Sequence, residues 1–241
     1  SIDRRRNYLS SLTQEQALKI LAGTGAVLTG GHFVYTSDTH GSAYVNKDAV
    51  YRFPVTTDIL GKAIAEAFAD FDVQVVVAPE KGAIKLGDRV AYHLSKMSMA
   101  AGGSEVMSVY LEKETVSEKI GDHTWSRGTG EFIAKRGYDK EITGKRTLVI
   151  EDVLNTGLTG IKSVACVHRL QGEIVGFGAL CNRGGITAEK LGVPHLFSLT
   201  DVKMEIFTEE ECLHSGPCSK NIPVNVEIGK GKQFLAGKNA P

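Results

Sequence analysis

Short apolar runs alternate with amphipathic stretches through the middle of the chain, and this alternation limits the fold more than any other feature. Residues 73–78 form an apolar run rich in Val, the pattern of a strand buried on both faces, as in a parallel sheet. Before it, residues 54–71 read as a helix with Ile59, Leu60, Ala63, Ile64, Ala67 and Phe68 on one stripe. The rhythm then repeats. The pattern predicts a helix over 84–97, strands over 106–111 and 147–150, a helix over 160–170, a strand over 174–181, a short helix over 187–191 and a last strand over 195–199. An earlier helix over 13–21 has Thr13 as its cap and Gln16 three residues on. Strands alternating with helices call for βαβ units with right-handed crossovers, hence an α/β fold with a parallel sheet. Residues 1–50 and 201–241 break the rhythm and are expected to pack as a small hood on a core of residues 51–200.

Charge narrows the function. Lys+Arg and Asp+Glu both number 28, so any anion site must be local, and neither nucleic acid nor an anionic membrane is an expected partner. No run of about 18 apolar residues exists, and the charged start Ser1 to Arg6 has no apolar stretch behind it, so a cytoplasmic protein is expected. Cys166 and Cys181 lie in apolar segments and read as small core residues. Cys212 and Cys218 look exposed. With His214 between them they suggest a metal site, but a C-x5-C pair is off the usual zinc spacing, which leaves two free thiols as the reading of the sequence.

One segment resists assignment. Residues 112–145 are charged, with Gly at 121, 128, 130, 137 and 144, and show no clear period. Such a stretch is expected to be a functional lid or disordered, with 131–137 as a ribbon strand returning to the core.

The chemistry concentrates at residues 147–159. The strand run Thr147 to Ile150 ends in Glu151 and Asp152, and Val153 and Leu154 lead into Asn155, Thr156, Gly157, Leu158 and Thr159, where a helix opens. A helix N-terminus offers N–H groups and partial positive charge to a phosphate. Gly157 lets backbone approach closely, and Thr156 and Thr159 add hydroxyl donors. Two carboxylates there accept from vicinal ribose hydroxyls and can bind Mg²⁺ directly or through water. A plain strand–turn–helix with Asn155 as cap and two solvated acids is also consistent with these residues.

The segment closely resembles the donor-binding motif of type I phosphoribosyltransferases, and several other stretches resemble orotate phosphoribosyltransferases in particular. The resemblance implies a parallel-sheet core with helices on both faces and a small hood. It makes Lys81 and Gly82, in the turn after the strand over 73–78, a pyrophosphate seat. It places Lys113 at the start of a mobile catalytic loop, residues 112–131, in which Glu112 stands where the family has Arg. The loop's usual core has its nearest match at Lys119 and His123. Thr36 and Tyr44 are implied to line a base pocket and Arg183 to meet the base, with Asn182 in place of the family's Asp. His40, in the same N-terminal stretch, reads as a surface loop residue. The implied reaction transfers ribose 5-phosphate from phosphoribosyl pyrophosphate to a base, orotate by preference, with Lys113 and Asp152 catalytic, Mg²⁺ arriving with the donor and a homodimer as the working unit. A purine or uracil acceptor, or a donor-sensing regulator without turnover, are the alternatives.

Overall fold

The computed structural model describes residues 10–35, 37–120, 123–202 and 204–238. In chain order the elements are α1 (Gln14–Gly23), β1 (Val27–Val34), β2 (His40–Val45), α2 (Lys47–Val50) and α3 (Pro54–Ala67). β3 (Val75–Pro79), α4 (Ile84–Ala100), β4 (Met107–Ile120), β5 (His123–Ile133) and α5 (Tyr138–Ile142) follow. Next come β6 (Arg146–Leu154), α6 (Leu158–Arg169), β7 (Glu173–Asn182), α7 (Ala188–Leu191) and β8 (Leu196–Asp201). The chain closes with β9 (Ile206–Phe207), α8 (Glu209–Ser215) and α9 (Gly231–Lys238). None of the described helices is long and apolar enough to cross a membrane.

Contacts divide the chain into two units. The first takes in Phe53–Asp201 with the start of the chain through Ala17; the second is Leu18–Arg52 with the stretch from Val202 onward.

A six-stranded sheet in the order β5-β4-β3-β6-β7-β8 organises the first unit. Every neighbouring pair from β4 to β8 is parallel. The core of β3 explains its Val-rich run: Val75, Val76 and Val77 are all fully buried, as a central strand covered on both faces requires. Helices cover both faces, and β7 shows how they fit. Gly176 and Gly178 leave room for Phe68 and Ile64 on the α3 side, while Phe177 points the other way, where Gly160 of α6 gives it space. In α3 the buried residues include Leu60, Ala63, Ile64 and Ala67, whereas Ile59, expected on the same stripe, is 43% exposed. The helix also ends earlier than expected, in a short 3₁₀ turn over Ala69–Phe71. Thr13 caps α1 as predicted: its hydroxyl accepts from the Gln16 N–H at 3.2 Å and the Gln16 side chain accepts from the Thr13 N–H at 2.9 Å.

The segment expected to be a lid or disordered forms a long antiparallel hairpin, so its described residues are ordered strands. β4 continues past Leu111 to Ile120 and returns as β5, with Thr115 opposite Gly128 and Glu118 opposite Trp125. It carries no apolar period because its outer part is exposed on both faces, so no face selects apolar residues. Its base is anchored: the Arg169 guanidinium of α6 donates to the Phe132 carbonyl at 2.6 Å, and Lys162 donates to the Gly130 carbonyl.

The second unit holds a three-stranded sheet in the order β1-β2-β9. It corrects two readings of the sequence. His40 is not on a surface loop but in β2, fully buried, and Cys212 of α8 is fully buried as well.

Replacing Gly176 tests the β7–α3 contact. A Cβ there would lie 2.5 Å from Cε1 of the fully buried Phe68. Gly176→Ala is expected to lower stability by about 1–3 kcal/mol in urea unfolding, and Phe68→Leu in the same chain to restore part of the loss.

Candidate functional site

The strand order places a switch point in the sheet. From β3 the chain crosses to β4 on one side, while β6, β7 and β8 build outward on the other. Ligands of open α/β sheets bind at the carboxyl ends of strands where the order reverses. Here β3 and β6 stay paired through Val77 and Val149 and no further. Beyond that point β3 keeps its register with β4, Ala78 opposite Tyr110 and Pro79 opposite Leu111. β6 keeps its register with β7, from Ile150 opposite Gly178 to Leu154 opposite Asn182. The two halves of the sheet therefore part between the turn after β3 and the end of β6.

The expected functional residues of the first unit gather on this edge. β6 runs four residues past Ile150, so Glu151 and Asp152 lie inside the strand rather than at its end. Both are buried, at 6% and 1% exposure, which removes the reading of two solvated acids. Each folds a carboxylate oxygen toward its own strand: Glu151 accepts from the Asp152 N–H at 3.2 Å and Asp152 from the Val153 N–H at 2.7 Å. Two adjacent buried acids at the carboxyl end of a parallel sheet lie where ligands of open α/β sheets bind, which makes them candidates for contact with a polar ligand. Among the described residues no third His, Cys, Asp or Glu joins them as a possible metal ligand.

The loop after β6 forms a cradle. Gly157, not Asn155, is the N-cap of α6, with φ +81°. That left-handed conformation favours glycine, and it turns the chain so that the helix starts at Leu158, two residues earlier than expected. Asn155, Thr156 and Thr159 are open to solvent, as a phosphate seat requires. The Thr156 hydroxyl accepts from the Leu158 N–H at 3.3 Å, which holds it over the helix start.

A second loop braces the first. The N–H groups of Arg183 and Gly184 both donate to the Leu154 carbonyl, at 2.9 and 3.1 Å. Asn182 closes the loop from inside. Its amide donates to the Ile186 carbonyl at 2.9 Å and accepts from the Ile186 N–H at 3.0 Å. An ionised Asp could make only the second bond, so Asn at this position has a structural use. Arg183 is thereby fixed beside the cradle, half-buried.

The turn after β3 and the hairpin complete the edge. Lys81 is exposed and Gly82 half-buried, just before α4, and the Glu80–Lys81 peptide is cis. Glu80 joins the two elements, since its N–H donates to the Leu111 carbonyl and its carboxylate accepts from the Lys113 N–H, each at 2.8 Å. The backbone at Lys113, exposed in β4, is thus tied to the turn that carries Lys81. Glu112 makes ion pairs with Lys135 at 3.2 Å and Arg136 at 3.1 Å. The hydrogen bond from Lys135, with that from Arg136, holds its carboxyl below the usual range. Glu80 is a structural tie that the sequence pattern did not single out, and Glu112, read as standing at the family's Arg position, is a second. Lys119 lies exposed further along the hairpin, opposite Thr124; the His123 side chain and Thr36 lie outside the described residues. Tyr44 belongs to the second unit, where its ring packs against Phe33 at 5.6 Å and Tyr35 at 6.3 Å between centroids.

Residues 46–214 match the phosphoribosyl transferase domain model. The chain belongs to that family. Among its relatives is an orotate phosphoribosyltransferase of Desulforamulus reducens, 29% identical over 201 residues, which span 83% of this chain and 91% of the relative. Another, from Caldanaerobacter subterraneus subsp. tengcongensis, is 26% identical across 82% of this chain and 88% of its own. The fold is similar to the crystal structure of orotate phosphoribosyltransferase from Aeropyrum pernix, with TM-score 0.53 and 20% identity over 76% of this chain and 92% of that one. It is also similar to the Mycobacterium tuberculosis orotate phosphoribosyltransferase solved with 5-phospho-alpha-D-ribosyl 1-diphosphate, with TM-score 0.50 and 19% identity over 80% and 92% of the two chains. The matched residues take in the whole six-stranded sheet, the parting of β3 and β6 included.

The brace between loops gives a test. A Cβ on Gly184 would overlap the Asn155 carbonyl oxygen, so Gly184→Ala must push the two loops apart. We expect affinity for ribose 5-phosphate, measured by calorimetry on folded protein, to drop roughly 10-fold or more. Unchanged affinity would mean that the cradle does not depend on the 182–186 loop.

Proposed function

We propose that this protein is an orotate phosphoribosyltransferase that moves ribose 5-phosphate from phosphoribosyl pyrophosphate to orotate. The observation that carries this is the pair of buried acids, Glu151 and Asp152, next to a glycine-capped helix start where the parallel sheet parts.

Each residue has a task there. The first N–H groups of α6, with the hydroxyls of Thr156 and Thr159, hold the donor's 5-phosphate, and Asn155 and Leu158 shape the loop around it. Glu151 and Asp152 accept hydrogen bonds from the two ribose hydroxyls and so orient the sugar. Lys81 and the backbone at Gly82 face the pyrophosphate. As the bond from C1 to pyrophosphate breaks and a base nitrogen takes its place, positive charge grows on the sugar and negative charge on the departing group. Asp152 beside the ribose stabilises the first, and Lys113 and Lys81 the second. Arg183 presents its guanidinium to the orotate carboxylate in a paired, charged hydrogen bond. Two adjacent carboxylates fit a Mg²⁺ that arrives on the donor, because Mg²⁺ keeps waters and takes one or two carboxylates beside phosphate oxygens. When bound it neutralises charge on the pyrophosphate. The β4–β5 hairpin, carrying Lys113, closes over the site and excludes water.

Two measurements check the assignment. Asp152→Asn is expected to weaken donor binding in calorimetry while the protein stays folded. Arg183→Ala is expected to raise KM for orotate at least ~10-fold, with KM for the donor little changed. Equal turnover of orotate and uracil by the unaltered enzyme would remove the role of Arg183.

The hairpin is proposed to reach a second copy of the chain in a homodimer. Its outer part is exposed and carries Val116 and Trp125, 41% and 67% exposed, a surface that a partner would cover. Lys113→Ala and Asp152→Asn chains, each inactive, should then regain activity on mixing, since a mixed dimer holds one intact site. No recovery after proven subunit exchange would place the hairpin over its own chain's site.

A further inference from the structure

We infer that the second unit carries a structural zinc site formed by His32, His40, Cys212 and Cys218. One ligand atom from each of these four residues lies within 4.8 Å of all the others. Three of the four side chains are buried: His32 is 2% exposed, His40 and Cys212 not at all, while Cys218 is half-buried. Two imidazoles and two thiols are a poor choice for an apolar interior unless they share a polar task.

Local structure aims all four at one point. In the β1–β2 ribbon His40 stands opposite Val34, and His32 is two residues from Val34 on the same strand. The two imidazoles meet there, with His32 Nε2 2.8 Å from His40 Nδ1. Cys212 comes from α8, whose capping box at Thr208 and Glu211 fixes the helix start. Cys218 comes from the turn that follows, and its N–H donates to the Cys212 sulfur at 3.2 Å. The backbone wraps that sulfur closely, since a Cβ on Gly216 would lie 2.8 Å from it.

The distances suit a tetrahedron. With Zn–S near 2.3 Å and Zn–N near 2.05 Å, nitrogen-to-sulfur edges are about 3.5 Å. Cys218 Sγ lies 3.5 Å from His40 Nδ1 and 3.6 Å from His32 Nε2, and Cys212 Sγ lies 3.9 Å from His32 Nε2. The two imidazole nitrogens are 2.8 Å apart, a hydrogen-bond separation, and need to part by about half an ångström to take the metal. The tautomer of His32 is already set. Its Nδ1 lies 2.9 Å from the Ile222 carbonyl, which can only accept, so Nδ1 carries the proton and Nε2 offers its lone pair to the cluster. An outer carbonyl holding the far nitrogen is the usual support of a zinc-bound histidine. Two sulfurs and two imidazoles in tetrahedral array select zinc among common divalent ions. His214, the histidine nearest these cysteines in sequence, is exposed and takes no part.

Metal analysis of the purified, reduced full chain tests this. About one zinc per chain is expected to survive dialysis against a weak chelator. Co²⁺ added to the stripped protein is expected to give the visible bands of a tetrahedral site and a thiolate charge-transfer band in the near ultraviolet. Cys218→Ser and His40→Ala should lose both signals, and His214→Ala should keep them. The Co²⁺ spectrum of the unaltered chain decides the matter even where a variant fails to fold. A stripped, reduced protein that gives no such spectrum, retention of zinc by Cys218→Ser equal to that of the unaltered chain, or a Cys212–Cys218 disulfide in freshly purified protein would each overturn the site.

Discussion

The end of the β3–β6 ladder at Val77 and Val149 is the constraint on which the functional edge depends. A parallel sheet that stayed paired to its rim would bury the ends of both strands against each other. Because β3 follows β4 and β6 follows β7, backbone groups and side chains at the rim are freed to face a ligand. The adjacent buried carboxylates Glu151 and Asp152 lie on this edge, each accepting from the backbone of its own strand.

The loops that line this parting are held chiefly by backbone. Leu154 offers one carbonyl to two N–H groups of the 182–186 loop, and Glu80 ties the turn after β3 to the hairpin. This arrangement separates position from identity. The Asn182 amide satisfies both backbone groups of Ile186, and Lys135 and Arg136 neutralise Glu112. Both side chains are thus spent on local bonding that holds the loops.

Much of this was legible in the sequence because it is local. The Val-rich β3, the Thr13 cap and the acid pair before a glycine–threonine loop all act within a few residues, and a linear pattern reports them. The α3 boundary was misjudged because Phe68 stays buried after the helix ends, so the apolar period runs on past it. The hairpin was missed for a different reason. Its cross-strand pairs, such as Ser117 with Ser126, satisfy one another in solvent and leave no alternation of apolar and polar residues to read.

The second unit was least legible, and its physics explains why. Its two segments are separated by the whole of Phe53–Asp201, and β9 joins β2 through only two residue pairs, His40 with Phe207 and Gly41 with Ile206. Beyond Asp201 the described chain contributes few buried side chains with apolar character: Val202, Cys212 and Pro217. Ordering a segment costs about 1–2 kcal/mol per residue, and a ladder hydrogen bond returns about 1 kcal/mol. So small a core offsets little of that cost. A tetrahedral zinc contributes on the order of 10 kcal/mol and ties β1, β2, α8 and the turn after α8 to one centre. Spacing rules applied along the chain could not find it, because each histidine stands 178 or more residues from the cysteine that its ring faces at shortest range. The fold supplies the proximity that the C-x5-C spacing lacks, and the segment after Asp201 becomes the source of half the ligands.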